Sequence, residues 1–396
     1  LIRQAVILVG GKGKRLGDLA GERPKPFVEI SGKPFLDYLI SHAACHGVRE
    51  VVLLAGHAAS WIRENYDCSV SGVDIKLCIE EKPMGTAGAL LSAADFLDDV
   101  FLLLNGDSIL NGSWSVLVPL LNDGKGAVIA ARAVEDVSRY GRLVLESSKV
   151  TAFSEKQGVG PGLINAGIYL LRREMVMPLI GGACSMENDV LPQLITKGAV
   201  AGAEVKGYFL DIGLPETLFL ARSELKNKLA RRAVFFDRDN TLVEDSGYTH
   251  KPEDLKWMPG AREAVRAAND DGYGVFVVTN QAGIARGYYD VAAMHEFHAA
   301  MQADLYEIGA HIDQFYHCPH HPDGAIPDLS IACSCRKPGT GMLEQAFEDH
   351  ALSKEGSFMI GDKPKDVACG KTYGLASFLY EHGTLLEVCE RAGVYS

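Results

Sequence analysis

Two aspartates separated by one residue, Asp237 and Asp239, follow directly on the apolar run Ala233-Val234-Phe235-Phe236. A carboxylate so placed can attack phosphorus and form an aspartyl phosphate. Its neighbour can protonate the departing alkoxide and then take a proton from the hydrolytic water. Two carboxylates this close need a counter-charge, which Mg²⁺ and a Lys supply. A pair of surface aspartates in a loop is the bland alternative, and the apolar run immediately before them argues against it. Near the other end of the chain, Ala5-Val6-Ile7-Leu8-Val9 runs into Gly10-Gly11-Lys12-Gly13-Lys14-Arg15-Leu16, a glycine-rich, cationic loop suited to phosphates. Alone, such a loop also serves as a plain tight turn. Together the two segments imply two phosphate-handling sites.

Other residues add to both. Lys25 stands between Pro24 and Pro26, whose restricted backbone can aim its ammonium. Asn105-Gly106-Asp107 closes the run Phe101-Leu102-Leu103-Leu104, and Asp211-Ile212-Gly213 closes another strand-like segment. Carboxylates from two distant strands can hold one Mg²⁺ on a diphosphate, although either Asp taken singly reads as a cap or turn residue. In the second half, Cys318-Pro319-His320-His321 and Cys333-Ser334-Cys335 give a Cys-x-His and a Cys-x-Cys pair. Three thiolates and one imidazole suit a closed tetrahedral Zn²⁺ site. With no open position, that Zn²⁺ is expected to be structural and to fix the loop carrying Arg336-Lys337. His317 and His321 flank His320 as rival imidazoles.

These residues need elements to hold them. Val51-Val52-Leu53-Leu54, Ala127-Val128-Ile129-Ala130 and Ile168-Tyr169-Leu170-Leu171 predict strands, and Phe35 to His46 and Gly88 to Phe96 predict helices. Pro215 to Arg232 predicts a further helix, with Leu218, Leu225 and Leu229 on one stripe. After Ala233 the style repeats: Val275-Phe276-Val277-Val278 and Phe358-Met359-Ile360 end in Thr279-Asn280-Gln281 and Gly361-Asp362. The order predicts an α/β chain of two domains, each a Rossmann-like, mostly parallel sheet flanked by helices, the second with a zinc-binding loop. With no Gly/Ser linker, the boundary is expected near Lys228, giving domains 1–228 and 229–396. A net charge of -12 argues against nucleic-acid and anionic-membrane partners, but not against phosphorylated small molecules. No apolar run is long enough for a bilayer, and Leu1-Ile2-Arg3-Gln4 leads straight into the first strand, so neither a membrane span nor a signal peptide is expected. The scattered remainder of nine cysteines suits reduced thiols in cytoplasm. The oligomeric state is open, a homo-oligomer included.

The pieces of the first half stand in a fixed order: the loop from Gly10 to Leu16, Pro24-Lys25-Pro26, Glu80-Glu81-Lys82-Pro83-Met84-Gly85-Thr86-Ala87-Gly88, Asn105-Gly106-Asp107, Tyr140-Gly141, Glu155-Lys156, Asn165-Ala166-Gly167 and Asp211-Ile212-Gly213. This series resembles the sugar-1-phosphate nucleotidyltransferase family. The resemblance implies that Gly10, Gly11 and Gly13 wrap the nucleotide phosphates and that Arg15 stabilises charge on departing pyrophosphate. Lys25 then contacts the attacking sugar phosphate, and Asp107 and Asp211 bind Mg²⁺. Glu80, Gly85 and Gly88 lie near base and ribose, and Gly141, Glu155 and Asn165 contact the sugar. The reaction is an in-line displacement driven by positioning and charge neutralisation. Lys14 departs from the Thr usual in the family and adds a cation to the loop.

The second half resembles the haloacid dehalogenase superfamily of phosphatases. That implies Asp237 as nucleophile and Mg²⁺ ligand, and Asp239 as acid/base whose backbone carbonyl also serves the metal. Thr279 and Lys337 then bind phosphate, Asp362 binds Mg²⁺, Asp366 is a supporting carboxylate, and His320 is the imidazole of the Zn²⁺ set. The stretches Thr279-Asn280-Gln281-Ala282-Gly283-Ile284-Ala285-Arg286-Gly287 and Cys335-Arg336-Lys337-Pro338 resemble D-glycero-D-manno-heptose 1,7-bisphosphate 7-phosphatases. Histidinol-phosphate phosphatases share the zinc loop and are the nearest rival. Arg286 and Arg336 would hold the anomeric phosphate that must survive, with Asn280 also at the substrate. The product, heptose 1-phosphate, is a substrate of the type the first half takes, and the resemblance there is to guanylyltransferases acting on heptose 1-phosphate or mannose 1-phosphate. The expectation is a bifunctional enzyme making nucleotide-activated heptose, with GTP the first choice of nucleotide. A mannose-1-phosphate guanylyltransferase fused to a histidinol-type phosphatase, and a chain with one half a silent nucleotide-binding scaffold, are the alternatives.

Overall fold

A computed structural model describes residues 2–10, 23–56, 59–66, 69–70, 73–80, 82–121, 124–155 and 159–394. The chain divides into two compact units, Ile2–Lys228 and Leu229–Ser396. No helix among the described residues is long and apolar enough to cross a membrane.

In the first unit the strand Gln4–Leu8 lies between Glu50–Ala55 and Val100–Asn105, parallel to both, and Val73–Ile79 extends the parallel set. Val51 to Ala55 are fully buried, as strands covered on both faces must be. Beyond Val100–Asn105 the direction changes. The long strand Gly162–Arg172 runs antiparallel to it and to Ala127–Val134 on its far side. Val200–Glu204 pairs parallel with Ala127–Val134, and the hairpin Gly141–Glu146 and Lys149–Glu155 closes that edge. The ten-stranded sheet is therefore mixed, which corrects the mostly parallel expectation for this unit. The apolar run Ile168 to Leu171 is buried on both faces, and such a run reads alike in either direction.

Three expected helices also differ in detail. The first ends at Ala44, and the segment expected as one helix from Gly88 is a short turn Gly85–Gly88 followed by a 3-10 helix Ala89–Phe96. Ala89, Leu90 and Ala93 are the buried residues of the 3-10 helix, and Ala87 and Gly88 of the preceding turn are buried beside them. The helix Pro215–Lys228 buries Leu218, Ala221 and Leu225 and stops short of Arg232.

The second unit holds five parallel strands in the order Gln314–Cys318, Gly274–Asn280, Ala233–Phe236, Phe358–Gly361, Ala376–Leu379. Alternation sorts their side chains. Val234, Phe236, Val275 and Val277 pack on one face with Phe297, Met301 and Leu305. Ala233, Phe235, Phe276 and Val278 pack on the other with Met342, Leu343 and Cys369. Helices thus cover both faces: Ala261–Asp270 and Val291–Glu307 on one, Gly341–Asp349 and Pro364–Tyr373 on the other. Because all five strands point one way, Asp237, Thr279, Cys318 and Asp362 emerge at one edge of the sheet.

Candidate functional sites

In the first unit, Lys25 opens the short 3-10 turn Lys25–Phe27 and is only 8% exposed. Its Nζ lies 2.5 Å from Asp107 Oδ2 and 3.7 Å from Asp211 Oδ1. The two carboxylates meet because Tyr208–Asp211 pairs antiparallel with Ser108–Asn111, setting Asp211 opposite Ser108. Gly213 donates its N–H to Asp211 Oδ1. A Cβ at Gly213 would stand 2.5 Å from Asp211 Oδ1 and 3.0 Å from Lys25 Nζ, so a side chain there would push these two groups from their present places. Burial, and then the Asp107 charge, raise the Asp211 carboxyl above its ordinary range, with Lys25 opposing.

The residues expected at the sugar, Gly141, Glu155 and Asn165, lie on neighbouring paired strands. Gly141 pairs opposite Glu155, and a Cβ at Gly141 would fall 3.9 Å from Asn165 Cβ. A register shift after Asn165 turns Gly167 against Asn105 and Ser108. Asn165 Nδ2 donates to Tyr169 Oη at 2.6 Å, and Tyr169 donates to Glu187 Oε1 at 2.9 Å. Glu187 Oε2 accepts from Thr86 Oγ1 at 2.7 Å, while Ala87 and Gly88 donate their N–H groups to Cys184 O. Glu80 Oε2 accepts the Met84 N–H at 2.9 Å, and Gly10 lies against Gly56 and Glu80. Gly11, Gly13, Lys14, Arg15 and the Glu155 side chain lie outside the described residues. Tyr169 and Glu187 were not singled out from sequence. The only local sign is Ser185, whose hydroxyl caps the turn that carries Glu187.

In the second unit Asp237 is 4% exposed at the end of Ala233–Phe236. Lys337 Nζ reaches Asp237 Oδ1 at 2.5 Å and Asp366 Oδ1 at 2.8 Å. The Lys337 backbone is clamped at both groups by Asn280, whose Oδ1 accepts the N–H at 3.0 Å and whose Nδ2 donates to the carbonyl at 3.1 Å. Asp239 takes a different direction: Oδ1 accepts from Arg238 Nε at 2.7 Å and Oδ2 from Gln281 Nε2 at 3.1 Å. Burial raises the Asp239 carboxyl, Arg238 opposes this, and the Asp237 charge adds to it. Burial, and then the Asp237 charge, push Asp362 up to about 6. Carboxylate oxygens of Asp237, Asp362 and Asp366 lie within 4.8 Å of one another, and among the described residues Asp362 Oδ1 is buried without a hydrogen-bond donor.

Asp237, Asp239, Asn280, Gln281, Arg286 and Arg336 line a cavity of about 280 Å³. Arg286 donates to Tyr248 Oη, and Arg336 donates to the His320 carbonyl at 3.0 Å. Behind Arg336 the sulfurs of Cys318, Cys333 and Cys335 stand 3.2–3.5 Å apart. His320 Nδ1 faces them at 3.5 Å from Cys335 and 3.8 Å from Cys318. His317 instead meets the His295 ring, and His321 lines the cavity.

Comparisons divide at the same place as the fold. Residues 4–228 match the nucleotidyl transferase family, and residues 334–389 match a HAD-hydrolase-like family. A D-glycero-alpha-D-manno-heptose 1-phosphate guanylyltransferase of Campylobacter jejuni is 33% identical over 217 residues, 54% of this chain and 97% of that protein. A D-glycero-alpha-D-manno-heptose-1,7-bisphosphate 7-phosphatase of Photorhabdus laumondii is 38% identical over 144 residues, 36% of this chain and 79% of that protein. The crystal structure of HddC from Yersinia pseudotuberculosis complexed with GMP-PN is 31% identical with a TM-score of 0.51, covering 57% of this chain and 100% of that one.

Proposed function

The chain belongs to the nucleotidyl transferase family through residues 4–228, and on that premise we propose that it joins two enzymes of nucleotide-activated heptose formation. The second unit removes the 7-phosphate of D-glycero-D-manno-heptose 1,7-bisphosphate. The first unit transfers GMP from GTP to the heptose 1-phosphate and releases pyrophosphate. Relatives of both kinds, each matched over more than two thirds of its own length, support this pairing, and the guanylyltransferase relatives act on the α-anomer by name.

The single observation that carries the phosphatase half is the cavity in which a Lys-held aspartate and a second, separately held aspartate face two arginines. Asp237 attacks the 7-phosphorus, and the bond from phosphorus to the sugar oxygen breaks. Asp239 gives that oxygen its proton, then takes one from the water that hydrolyses the aspartyl phosphate. Lys337 holds the nucleophile and offsets phosphoryl charge, and Thr279 offers its hydroxyl. Arg286 and Arg336 hold the anomeric phosphate away from Asp237. The unpartnered Asp362 Oδ1 beside Asp237 suits Mg²⁺, with Asp239 adding its backbone carbonyl, and the ion when bound supplies charge neutralisation at the phosphoryl group. Three thiols and one imidazole within mutual reach suit Zn²⁺, which when bound ties down the loop carrying Arg336 and Lys337.

In the first unit Lys25 steers the sugar phosphate, whose oxygen attacks the nucleotide α-phosphorus in line with departing pyrophosphate. Asp107 and Asp211 suit Mg²⁺ on the nucleotide phosphates, Asn165, Gly141 and Glu155 suit the sugar, and Glu80, Gly85 and Gly88 suit the nucleoside. Supplying the bisphosphate, Mg²⁺ and GTP tests the whole. Phosphate, pyrophosphate and GDP-heptose are expected. Phosphate from histidinol phosphate but not from the bisphosphate, or turnover of mannose 1-phosphate in preference to heptose 1-phosphate, overturns the assignment. Parallel reactions with ATP, CTP and UTP test the base.

A further inference from the structure

We infer that Gln281 is a positioning residue for the proton transfers at the phosphatase site, tying the acid/base Asp239 to the phosphate-binding Thr279; this rests on the phosphatase reading above. Gln281 is 1% exposed and its amide is fully engaged. One Nε2 hydrogen goes to Asp239 Oδ2 at 3.1 Å, the other to Thr279 Oγ1 at 2.7 Å, and Oε1 accepts the Tyr289 hydroxyl at 2.5 Å. The amide has one workable orientation. Reversed, its oxygen would face the Asp239 carboxylate and its nitrogen the Tyr289 hydroxyl that now donates.

The upstream members are locked in turn. The Tyr289 ring stacks on His250 with centroids 4.4 Å apart at 12°. It fills the space left by Gly283, where a Cβ would come within 2.2 Å of Tyr289 Cε1. The Gln281 backbone N–H is held by the Cys318 carbonyl at 2.8 Å.

Two consequences follow for the chemistry. Thr279, as acceptor from Gln281, keeps its own hydroxyl hydrogen for a phosphoryl oxygen. Asp239 is gripped at both oxygens, by Arg238 and Gln281, so its rotamer is set before substrate arrives. In the first step the Asp237 oxygen bonds to phosphorus, the bond from phosphorus to the sugar oxygen breaks, and the Asp239 proton passes to that oxygen. A sugar alkoxide needs that proton in order to leave, whereas p-nitrophenolate leaves without it.

The test is kcat/KM, which reads only through formation of the aspartyl phosphate, for heptose 1,7-bisphosphate and for p-nitrophenyl phosphate with the full chain. Gln281→Met is expected to lose about 10²-fold on the bisphosphate, the scale of a misplaced reacting group, and far less on p-nitrophenyl phosphate. Tyr289→Phe, a smaller change, is expected to lose a few-fold on the bisphosphate alone. Equal losses on both substrates in either variant overturn the inference, and if Gln281→Met does not fold, Tyr289→Phe decides it. Asp237→Asn separately tests the phosphatase reading: it must abolish turnover of both substrates, and survival of either sinks that reading whatever the Gln281 ratio shows.

Discussion

Replacing Lys337 by Met keeps most of the side chain's length, one atom short, and removes its charge. The ammonium lies 2.5 Å from Asp237 and 2.8 Å from Asp366, and the three side chains are 0%, 5% and 0% exposed. Burial alone would lower the Lys337 pKa, but the two carboxylates more than offset it and the net shift is upward. Losing one partner of a buried pair typically costs about 3–5 kcal/mol, because the remaining charge is left without compensation. Here two carboxylates lose the same partner, so the upper part of that range applies. At a urea dependence of about 2 kcal/mol per M, the unfolding midpoint of the second unit should fall by roughly 2–2.5 M. Trp257, bonded to Asp304, reports on this unit once Trp61 and Trp114 are replaced by Phe. The double variant Lys337→Met with Asp366→Asn should regain about 1 kcal/mol or more over the single one, since one orphaned charge is gone. A single variant within about 0.5 kcal/mol of wild type, or strictly additive costs in the double, would refute the account.

Cys335→Ser should abolish a stoichiometric Zn²⁺ seen by elemental analysis and lower phosphatase turnover by about tenfold or more, while GDP-heptose formation from supplied heptose 1-phosphate persists. Lys25→Met should do the reverse, costing on the order of 10³ in guanylyl transfer, the scale of a lost charge-stabilising donor, with phosphate release intact. Glu187→Gln weakens the link between Thr86 and Tyr169 and should raise KM for heptose 1-phosphate by about tenfold, as for a lost charge-assisted hydrogen bond. His298 carries a pH prediction. Burial, then Arg238, His317 and His295, hold its imidazole well below 6.5, and its ring stacks on Phe315. Below 6.5 the unfolded chain takes up a proton that the folded one refuses. The stabilisation is therefore complete above that pH and is lost as pH falls, by about 1.4 kcal/mol per unit. Urea midpoints of the second unit should change little between pH 7.5 and 6.5 and fall between 6.5 and 5.5 in wild type, and the fall should be smaller in His298→Gln.

The carboxylates of both sites were legible in sequence because each follows an apolar run that must end at a sheet edge. Val234 to Phe236 leave little freedom in where Asp237 goes, and Phe101 to Leu104 do the same for Asp107. The cluster of Cys318, His320, Cys333 and Cys335 was legible for a different reason: paired thiols and imidazoles are rarely juxtaposed without cause. The resemblance already pointed to His320, and the fold adds a physical reason for preferring it to His317. His317 lies in the strand Gln314–Cys318, where neighbours point to opposite faces, so it cannot face the same way as Cys318. The direction of Gly162–Arg172 was not legible, because burial on both faces removes the polar alternation that would mark an antiparallel strand. Nor were Gln281–Tyr289–Asp239 and Thr86–Glu187–Tyr169 visible. Glu187 and Thr86 are 101 residues apart and meet only through the topology of the sheet.

The chain order is the reverse of the order of chemistry: the reaction at Asp237 makes the substrate for the reaction at Lys25. That relation constrains the phosphatase more than the transferase. A bisphosphate presents two phosphomonoesters, and cleavage of the anomeric one would destroy the nucleophile that the second reaction needs. Chemical reactivity does not protect it, so geometry must. Arg286 and Arg336 line the same cavity as Asp237, and Arg336 is tied through the His320 carbonyl to the cysteine cluster. If Arg336 holds the anomeric phosphate as proposed, the cysteine-rich loop bears on which phosphate is spared as well as on how fast the other is removed. Arg336→Met should show this as inorganic phosphate released from C1: free heptose 7-phosphate would accumulate, and the yield of GDP-heptose per phosphate released would fall. An unchanged yield, with only a slower rate, would place the discrimination elsewhere in the cavity.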